Sequence, residues 1–226
     1  MLLHCSLAVI ALAAAAQDDA SLRKSRDAQD RPALEQQIAK LKAAAKADNA
    51  ESQYKIALAQ SYLAEVAQEQ RDKNAARAAA EAGMDPAKKA IALKGDGAEY
   101  HRILGTLCGQ VIPANVLAGL KYGKCAQSEV EQALKLDGKL VSGYIAQGVG
   151  NYYLPSSFGG GVELAIKSFE KAIALDAKSA DAYVWLGIAL RKANRNADAR
   201  KAFQKALDLN PARRWAKEQL DKTPAQ

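Results

Sequence analysis

Residues 181–211 read DAYVWLGIALRKANRNADARKAFQKALDLNP and contain two amphipathic patterns separated by a short polar segment. Large and small side chains recur at helical spacing at Tyr183, Leu186, Gly187, Leu190, Ala199, Phe203, Ala206 and Pro211. Apolar residues three and four positions apart predict α-helices. Small residues allow two helices to approach closely. The stretch therefore predicts a pair of packed helices.

The end of this stretch has four earlier copies, at 44–49, 90–95, 133–138 and 172–177. The first alanines of the five copies fall at positions 44, 90, 133, 172 and 206, so the intervals are 46, 43, 39 and 34 residues. Periods of this size are typical of stacked helix-pair repeats. The copies predict that the chain is an array of such pairs.

The additional residues of the longer repeats lie between the two helices of a unit. The small residue of the first helix is separated from that of the second by 12, 17, 21 and 24 residues, for Gly187 to Ala199, Gly148 to Ala165, Gly105 to Ala126 and Ala59 to Gly83. The excesses of 5, 9 and 12 residues equal the excesses in repeat length. We therefore expect insertions within units and none between units.

The small residues also predict which helices touch. Gly187 is expected to face Ala199, and Gly148 to face Ala165, because close contact needs a small side chain on both helices. Larger side chains are expected to fill the gaps against the neighbouring unit, among them Phe169, Leu186 and Phe203.

Over residues 97–211 the chain resembles tetratricopeptide repeat (TPR) proteins, most closely in 180–211. The unit with the loop Pro155-x2-Phe158-Gly159-Gly160-Gly161 also resembles the periplasmic T component of TRAP transporters. That family often has Asp where this chain has Gly161. The second resemblance implies an accessory protein that handles a ligand beside a substrate-binding protein.

The resulting fold class is all-α: a right-handed TPR-type solenoid of helical hairpins with enlarged intra-repeat loops and a C-terminal capping helix. We expect one domain over 32–222, with a last helix whose surface is charged, Arg213 and Arg214 included. Its units are 32–48 (partial), 50–94, 97–137, 140–176 and 179–209, with a cap at 211–222. In the second unit, the segment 83–86 is expected to interrupt the second helix and begin its regular part, because it contains Pro86.

The first 31 residues differ from the rest. Residues 1–16 are mostly apolar and end in Ala14-x-Ala16, which predicts a signal peptide cleaved after Ala16 and a periplasmic or secreted protein of bacterial type. A buried N-terminal helix is the alternative. Residues 17–31 are polar without periodicity and predict a disordered leader.

Export would place Cys108 and Cys125 in an oxidising compartment. Their 17-residue separation within one unit is compatible with a disulfide. Two small buried thiols in a helix crossing are the alternative.

The formal net charge is +7. A basic chain without an aromatic and basic binding motif does not indicate nucleic-acid binding. A solvated basic face, or attraction to an anionic membrane surface or an acidic partner, explains this charge better.

Catalytic groups are sparse. His101 takes the place of a packing aromatic residue, and no paired-carboxylate, zinc-ligand or nucleophile motif is present. We therefore predict no enzyme activity, no metal and no cofactor. Gly159–Gly161 could bind an anion, but a tight turn explains these glycines better, since glycine readily adopts positive φ.

The inner, concave surface is the predicted binding site for a protein or peptide partner. Its predicted lining residues are Ile56, Arg102, Ile145, Val149, Tyr152, Tyr153, Val184, Ile188, Arg191 and Lys192. Leu154 and Phe158 are expected to fold against this groove. Two alternatives remain open: the insertions fill the groove, or the groove binds a small hydrophobic or anionic ligand in transport.

Overall fold

The computed structural model describes residues 19–112 and 116–225, and every regular element within them is helical. The helices are α1 (19–27), α2 (Arg31–Ala44), α3 (Ala50–Glu69), α4 (Lys73–Leu93), α5 (Ala98–Val111), α6 (Val116–Leu136), α7 (Val141–Tyr153), α8 (Val162–Leu175), α9 (Ala180–Lys192), α10 (Asn196–Leu209) and α11 (Arg214–Asp221). A short 3-10 turn covers Ser156–Phe158. The all-α prediction is confirmed.

Consecutive helices pack in pairs, α3 with α4, α5 with α6, α7 with α8 and α9 with α10. The first helices of neighbouring pairs also contact one another, from α3 to α9. Helix α11 packs on α10 and α9 and caps the array. The helix-pair architecture and the last helix therefore agree with the prediction from repeat spacing.

The recurring end of each repeat makes the turn between units. The side chains of Asp137 and Asp176 accept hydrogen bonds from the backbone amides two residues later, at 2.9 Å. Asn210 makes the same contact with Ala212 at 3.2 Å. An Asp or Asn that bonds the backbone two residues on forms a tight turn, which ends one helix and directs the chain into the next.

The insertions lie inside units, but in the second and third units they lengthen helices. Helices α3, α4 and α6 have 20, 21 and 21 residues, whereas α9 and α10 have 13 and 14. The expected enlarged loop is wrong for the second unit, because only residues 70–72 connect its helices. The fourth unit does have an enlarged loop, at 154–161.

Helix α4 is continuous, so the predicted interruption at 83–86 is wrong. Pro86 lies inside the helix. The helix begins at a capped end, because the Asp72 side chain accepts a hydrogen bond from the Ala75 amide at 3.0 Å. An alanine-rich stretch with high helix propensity then precedes the proline. These features outweigh the lost backbone hydrogen bond of Pro86.

Two of the repeat glycines, Gly148 and Gly187, face aromatic rings. The ring of Phe203 lies against Gly187, where an added Cβ atom would be 2.6 Å from its Cε1 atom. Phe169 packs on Gly148 in the same way. Both rings are fully buried. The atoms nearest to each of these two glycines therefore belong to a ring of the same unit and not to the expected alanine.

Residues 19–27 are helical, so the predicted disordered leader is wrong over this range. Leu22 is 1 % exposed and packs with Leu34 and Ile38 of α2 and with Ala59 and Val66 of α3. Periodicity did not reveal this helix, because a single apolar side chain anchors it. The predicted signal peptide lies outside the described residues.

No helix in the described part of the chain combines the length and the apolar character that crossing a bilayer requires.

Candidate functional site

The residues predicted to line the concave groove divide into a closed group and an open group. In the closed group, Ile56, Val184 and Ile188 are only 5, 1 and 6 % exposed. Val184 and Ile188 belong to the core formed by units four and five. These three residues are core residues, so their prediction as an open lining is wrong.

Two arginines of the predicted groove lining form hydrogen bonds with other residues of the protein. Arg102 donates from Nε to Glu99 at 2.7 Å. Arg191 donates to the Gln219 side chain at 2.6 Å and to the Thr223 hydroxyl at 3.1 Å. Arg191 therefore holds the end of the capping helix.

The open group lies in unit four. Ile145, Val149 and Tyr152 are half-buried against the core of units four and five. Lys192 reaches across from α9, donates to the Tyr152 carbonyl at 2.8 Å and lies 4.1 Å from the centre of the Tyr152 ring. Next to this pair, Tyr153 is 58 % exposed.

Exposed apolar side chains concentrate in the loop of unit four. Among the described residues, seven large hydrophobic side chains are exposed, and four of them fall within 153–164. We call these four the unit-four ridge: Tyr153, Leu154, Phe158 and Leu164. Phe158 is 75 % exposed, so the prediction that it folds against the groove is wrong. Exposed apolar patches of this kind mark interaction sites.

The loop that carries the ridge is held in one conformation. Gly159 and Gly161 have φ angles of 82° and 116°, which only glycine adopts without strain. The Gly161 amide donates to the Asn151 carbonyl at 2.8 Å and so ties the end of the loop to α7. The turn explanation of the three glycines is therefore the correct one.

A second site, which sequence reasoning missed, joins the two ends of the array. Arg26 of α1 donates to Asp181 of α9 at 2.7 Å. Arg213, which precedes α11, contacts Glu65 and Glu69 of α3, each at 2.6 Å. We call the whole cluster the clasp: Arg26, Asp27, Glu65, Glu69, Asp181 and Arg213.

The clasp is buried and short of positive charge. Arg213 is 1 % exposed and Arg26 is 5 % exposed, whereas Arg213 was predicted on a charged surface. Two guanidinium groups face four carboxyl groups. Burial raises the pKa of Glu69 to about 7, although Arg213 opposes the rise. Burial would also raise the pKa of Asp181, but the charges of Arg26 and Arg213 lower it.

Uncharged side chains complete the clasp. Asn210 donates to Asp27 at 2.8 Å, and Gln29 donates to Glu69 at 3.0 Å. The Arg26 guanidinium also lies 5.0 Å from the centre of the Tyr62 ring. The contacts join residues up to 183 positions apart. No local sequence pattern signals such pairings, which is why the clasp was not predicted.

The remaining predicted residues have structural roles. In the structure, Cys108 and Cys125 form a disulfide, with 6.0 Å between their Cα atoms. The His101 ring contacts two groups: its Nδ1 lies 2.6 Å from a Glu129 carboxylate oxygen, and its Nε2 lies 3.0 Å from the Gly95 carbonyl oxygen. Gly105 packs on Val130 and on the backbone of Ala126. In the described part of the chain, no group of three or more His, Cys, Asp or Glu side chains could hold a metal ion.

Comparison with known proteins agrees with this architecture. Residues 180–213 match the tetratricopeptide repeat family. TTC0263, a thermophilic TPR protein from Thermus thermophilus, superimposes with a TM-score of 0.57 at 16 % identity, covering 93 % of this chain and 94 % of that one. A comparison with curated proteins found no match.

Two further structures are similar at lower TM-scores. YrrB, a TPR protein with an unusual peptide-binding site, has a TM-score of 0.44 at 18 % identity, with 82 % of each chain covered. MamA from Desulfovibrio magneticus RS-1 (residues 41 to the end) has a TM-score of 0.44 at 17 % identity, covering 88 % of this chain and 97 % of that one. The chain therefore contains a tetratricopeptide repeat at residues 180–213 and has the all-helical solenoid fold of TPR proteins.

Proposed function

We propose that this protein is a non-enzymatic scaffold that binds a segment of another protein on the unit-four ridge. The observation that carries the proposal is the exposure of Tyr153, at the end of α7, together with Leu154 and Phe158 in the loop that follows. An apolar surface that is already ordered loses little entropy on binding, so more of the contact energy becomes affinity. Aromatic side chains also dominate the energetics of protein interfaces.

The charge of the protein indicates the kind of partner. The chain carries a net charge of +7, and Lys192 lies directly behind the ridge at Tyr152. Long-range attraction therefore favours a partner with acidic residues. We propose that the bound segment has aromatic or aliphatic side chains for the ridge and acidic residues beside them.

Selection from displayed random peptides tests this proposal without a known partner. The wild-type protein is the bait, and a variant with Tyr153→Ser and Phe158→Ser is the counter-bait. We expect apolar peptides with acidic flanks that bind the wild type and lose at least about tenfold in affinity for the variant. The control is Leu93→Ser, because Leu93 is also exposed, at 46 %, but lies on α4. Peptides that bind the ridge variant as well as the wild type would refute the proposal.

The thermal stability of the ridge variant is part of the same test. Tyr153 and Phe158 are mostly exposed, so their replacement is expected to change the free energy of unfolding by less than about 0.5 kcal/mol. Tyr152 is a poor choice for this experiment. It is half-buried and packs on Trp185 at 6.3 Å between ring centres, so its loss would also perturb the core.

A second candidate function is that of a transport accessory like the T component of TRAP transporters, which would bind a small anionic ligand. An open cleft of about 470 Å³ between α1 and the start of α9 favours it, since Arg23, Lys24 and Lys178 line the cleft. Native mass spectrometry of protein from its own host separates the two functions. A small molecule that co-purifies with the wild type, but not with a Lys24→Ala and Lys178→Ala variant, would favour transport.

We also propose that the protein is exported. The apolar residues 1–16 support this assignment, and so does the Cys108–Cys125 disulfide, since disulfides persist in oxidising compartments. Cell fractionation tests it, with a mature N-terminus at Gln17 as the expected result.

A further inference from the structure

The inner face of the array carries a bound helix that belongs to the same chain. Leu22 packs beside Leu63 of α3, and Arg26 pairs with Asp181 of α9. Helices α3 and α9 are the first helices of units two and five, and they carry the predicted inner-face residues Ile56, Val184 and Ile188. Residues 19–30 therefore connect α3 with α9 at this face.

Polar contacts hold this segment more than apolar ones. Among residues 19–30, the only buried apolar side chain is Leu22, whereas Ser25, Arg26, Asp27 and Gln29 are all buried. Each of the four makes hydrogen bonds to other side chains or to backbone groups of the fold. Buried ion pairs add little net stability, because desolvation offsets their attraction, yet they impose strict geometry. The segment is therefore bound specifically but not strongly.

The surface under the segment is suited to bind a helix of defined chemistry. It presents an apolar position at Ala59 and Val66, a carboxylate at Asp181 for a guanidinium, and Arg213 for an acidic side chain. The matching residues of the segment are Leu22, Arg26 and Asp27. Leu22 and Arg26 are one helical turn apart and lie on the same helix face, and Asp27 flanks Arg26.

We propose that the inner face is a second binding surface, separate from the unit-four ridge, which residues 19–30 occupy as an intramolecular ligand. Its partner is a helix of another protein that carries an apolar residue, an arginine four positions later and then an acidic residue. Opening of the clasp releases residues 19–30 and admits that helix. The array thus has an autoinhibited inner face and a permanently open ridge.

Hydrogen exchange followed by mass spectrometry tests whether the segment opens by itself. In the full chain, Arg26→Ala is expected to increase amide exchange in residues 19–27 at least about tenfold, since the variant removes the ion pair that joins α1 to Asp181 of α9. Protection in α5 to α8 is expected to stay at the wild-type level. Arg23→Ala is the matched control, because Arg23 is an exposed arginine on the same helix.

A peptide in trans tests whether the inner face binds a helix. The probe is a fluorescently labelled peptide of residues 19–30, DASLRKSRDAQD. It is expected to bind the Arg26→Ala chain, whose own segment is weakened, at least about tenfold more tightly than the wild-type chain. A peptide with the Arg26→Ala change is expected not to bind. Asp181→Asn in the Arg26→Ala chain is expected to weaken the wild-type peptide again.

Each result decides one part of the proposal. Wild-type exchange in residues 19–27 of the Arg26→Ala variant would overturn the opening step. Loss of protection throughout the array would also overturn it, because the segment would then be an integral part of the fold. Should the variant unfold, Asp181→Asn alone replaces it in the exchange experiment, as the milder change. No binding of the peptide at about 1 mM, the weak end of specific affinity, would overturn the second surface. Neither result depends on the ridge.

Discussion

Arg26 and Asp181 are 155 positions apart in the sequence and form an ion pair of 2.7 Å in the structure. In a linear repeat array each unit contacts only its neighbours. Here the first helix contacts the last complete unit, and Arg213 contacts α3. The ends of the array are therefore coupled, so a change at one end is expected to affect the other directly.

Arg213 is expected to be much more important for stability than its neighbour Arg214. Arg213→Ala leaves Glu65 and Glu69 buried without their cation, which costs about 3–5 kcal/mol. Arg214→Ala is expected to change stability by less than about 0.5 kcal/mol, because the Arg214 side chain is 66 % exposed. Urea unfolding of the two variants measures the difference. Equal midpoints would mean that the clasp contributes nothing to global stability.

Glu69 is expected to make the protein less stable as the pH rises toward neutrality. The pKa of Glu69 is about 7 in the folded chain and near 4.5 in its ordinary state, so the folded protein holds this proton more tightly. The resulting stabilisation, about 3 kcal/mol, is present in full below about pH 4.5 and is lost as the pH rises through about 7.

The variant Glu69→Gln isolates this effect, because its side chain has nearly the same size and does not titrate. Its free energy of unfolding is expected to fall less than that of the wild type between about pH 5 and pH 8. Glu163→Gln, which removes an exposed carboxylate from α8, is expected to follow the wild-type curve. A wild type whose stability rises over this range faster than that of Glu69→Gln would contradict the prediction.

Repeat spacing predicted the helix pairs and the location of the insertions, because each depends on residues close together in the sequence. Gly187 and Phe203, for example, mark two helices of one hairpin. Repeat spacing did not predict whether an insertion would form a loop or lengthen a helix. The alanine-rich start of α4 is helical despite Pro86, whereas α7 ends at Tyr153 because Pro155 forces Leu154 into an extended conformation.

The candidate sites were harder to predict than the fold. Val184 and Ile188 occupy inner-face positions of their repeat, but they are buried in the core formed by units four and five. Arg213 lies in a charged sequence that indicates exposure, and its burial depends on carboxylates contributed by α3. Contacts between distant parts of the chain decide such positions, and a single sequence contains no signal for them. The loop of unit four was expected to fold against the groove, whereas Phe158 is exposed.

The Cys108–Cys125 disulfide is expected to stabilise the third unit. A link that spans 17 residues adds about 3 kcal/mol in the chain-entropy model. Thermal unfolding with and without reductant measures this contribution, and mass spectrometry after thiol blocking confirms that the bond was reduced. The variant Cys125→Ser is expected to melt at the lower temperature in both conditions. A wild type that melts at the same temperature after complete reduction would show that the bond is not stabilising.

Two glycines on successive first helices are expected to respond in opposite directions to the same substitution. Gly187→Ala places a methyl group 2.6 Å from the Phe203 ring, so the buried ring must move, at a cost of about 1–3 kcal/mol. At Gly150, also within a helix, an added Cβ meets no atom within 4 Å. Gly150→Ala is therefore expected to stabilise the protein by about 0.5–1 kcal/mol through higher helix propensity. The free energies of unfolding of the two variants in urea test the prediction. If both variants gain stability, the ring contact does not require glycine at position 187.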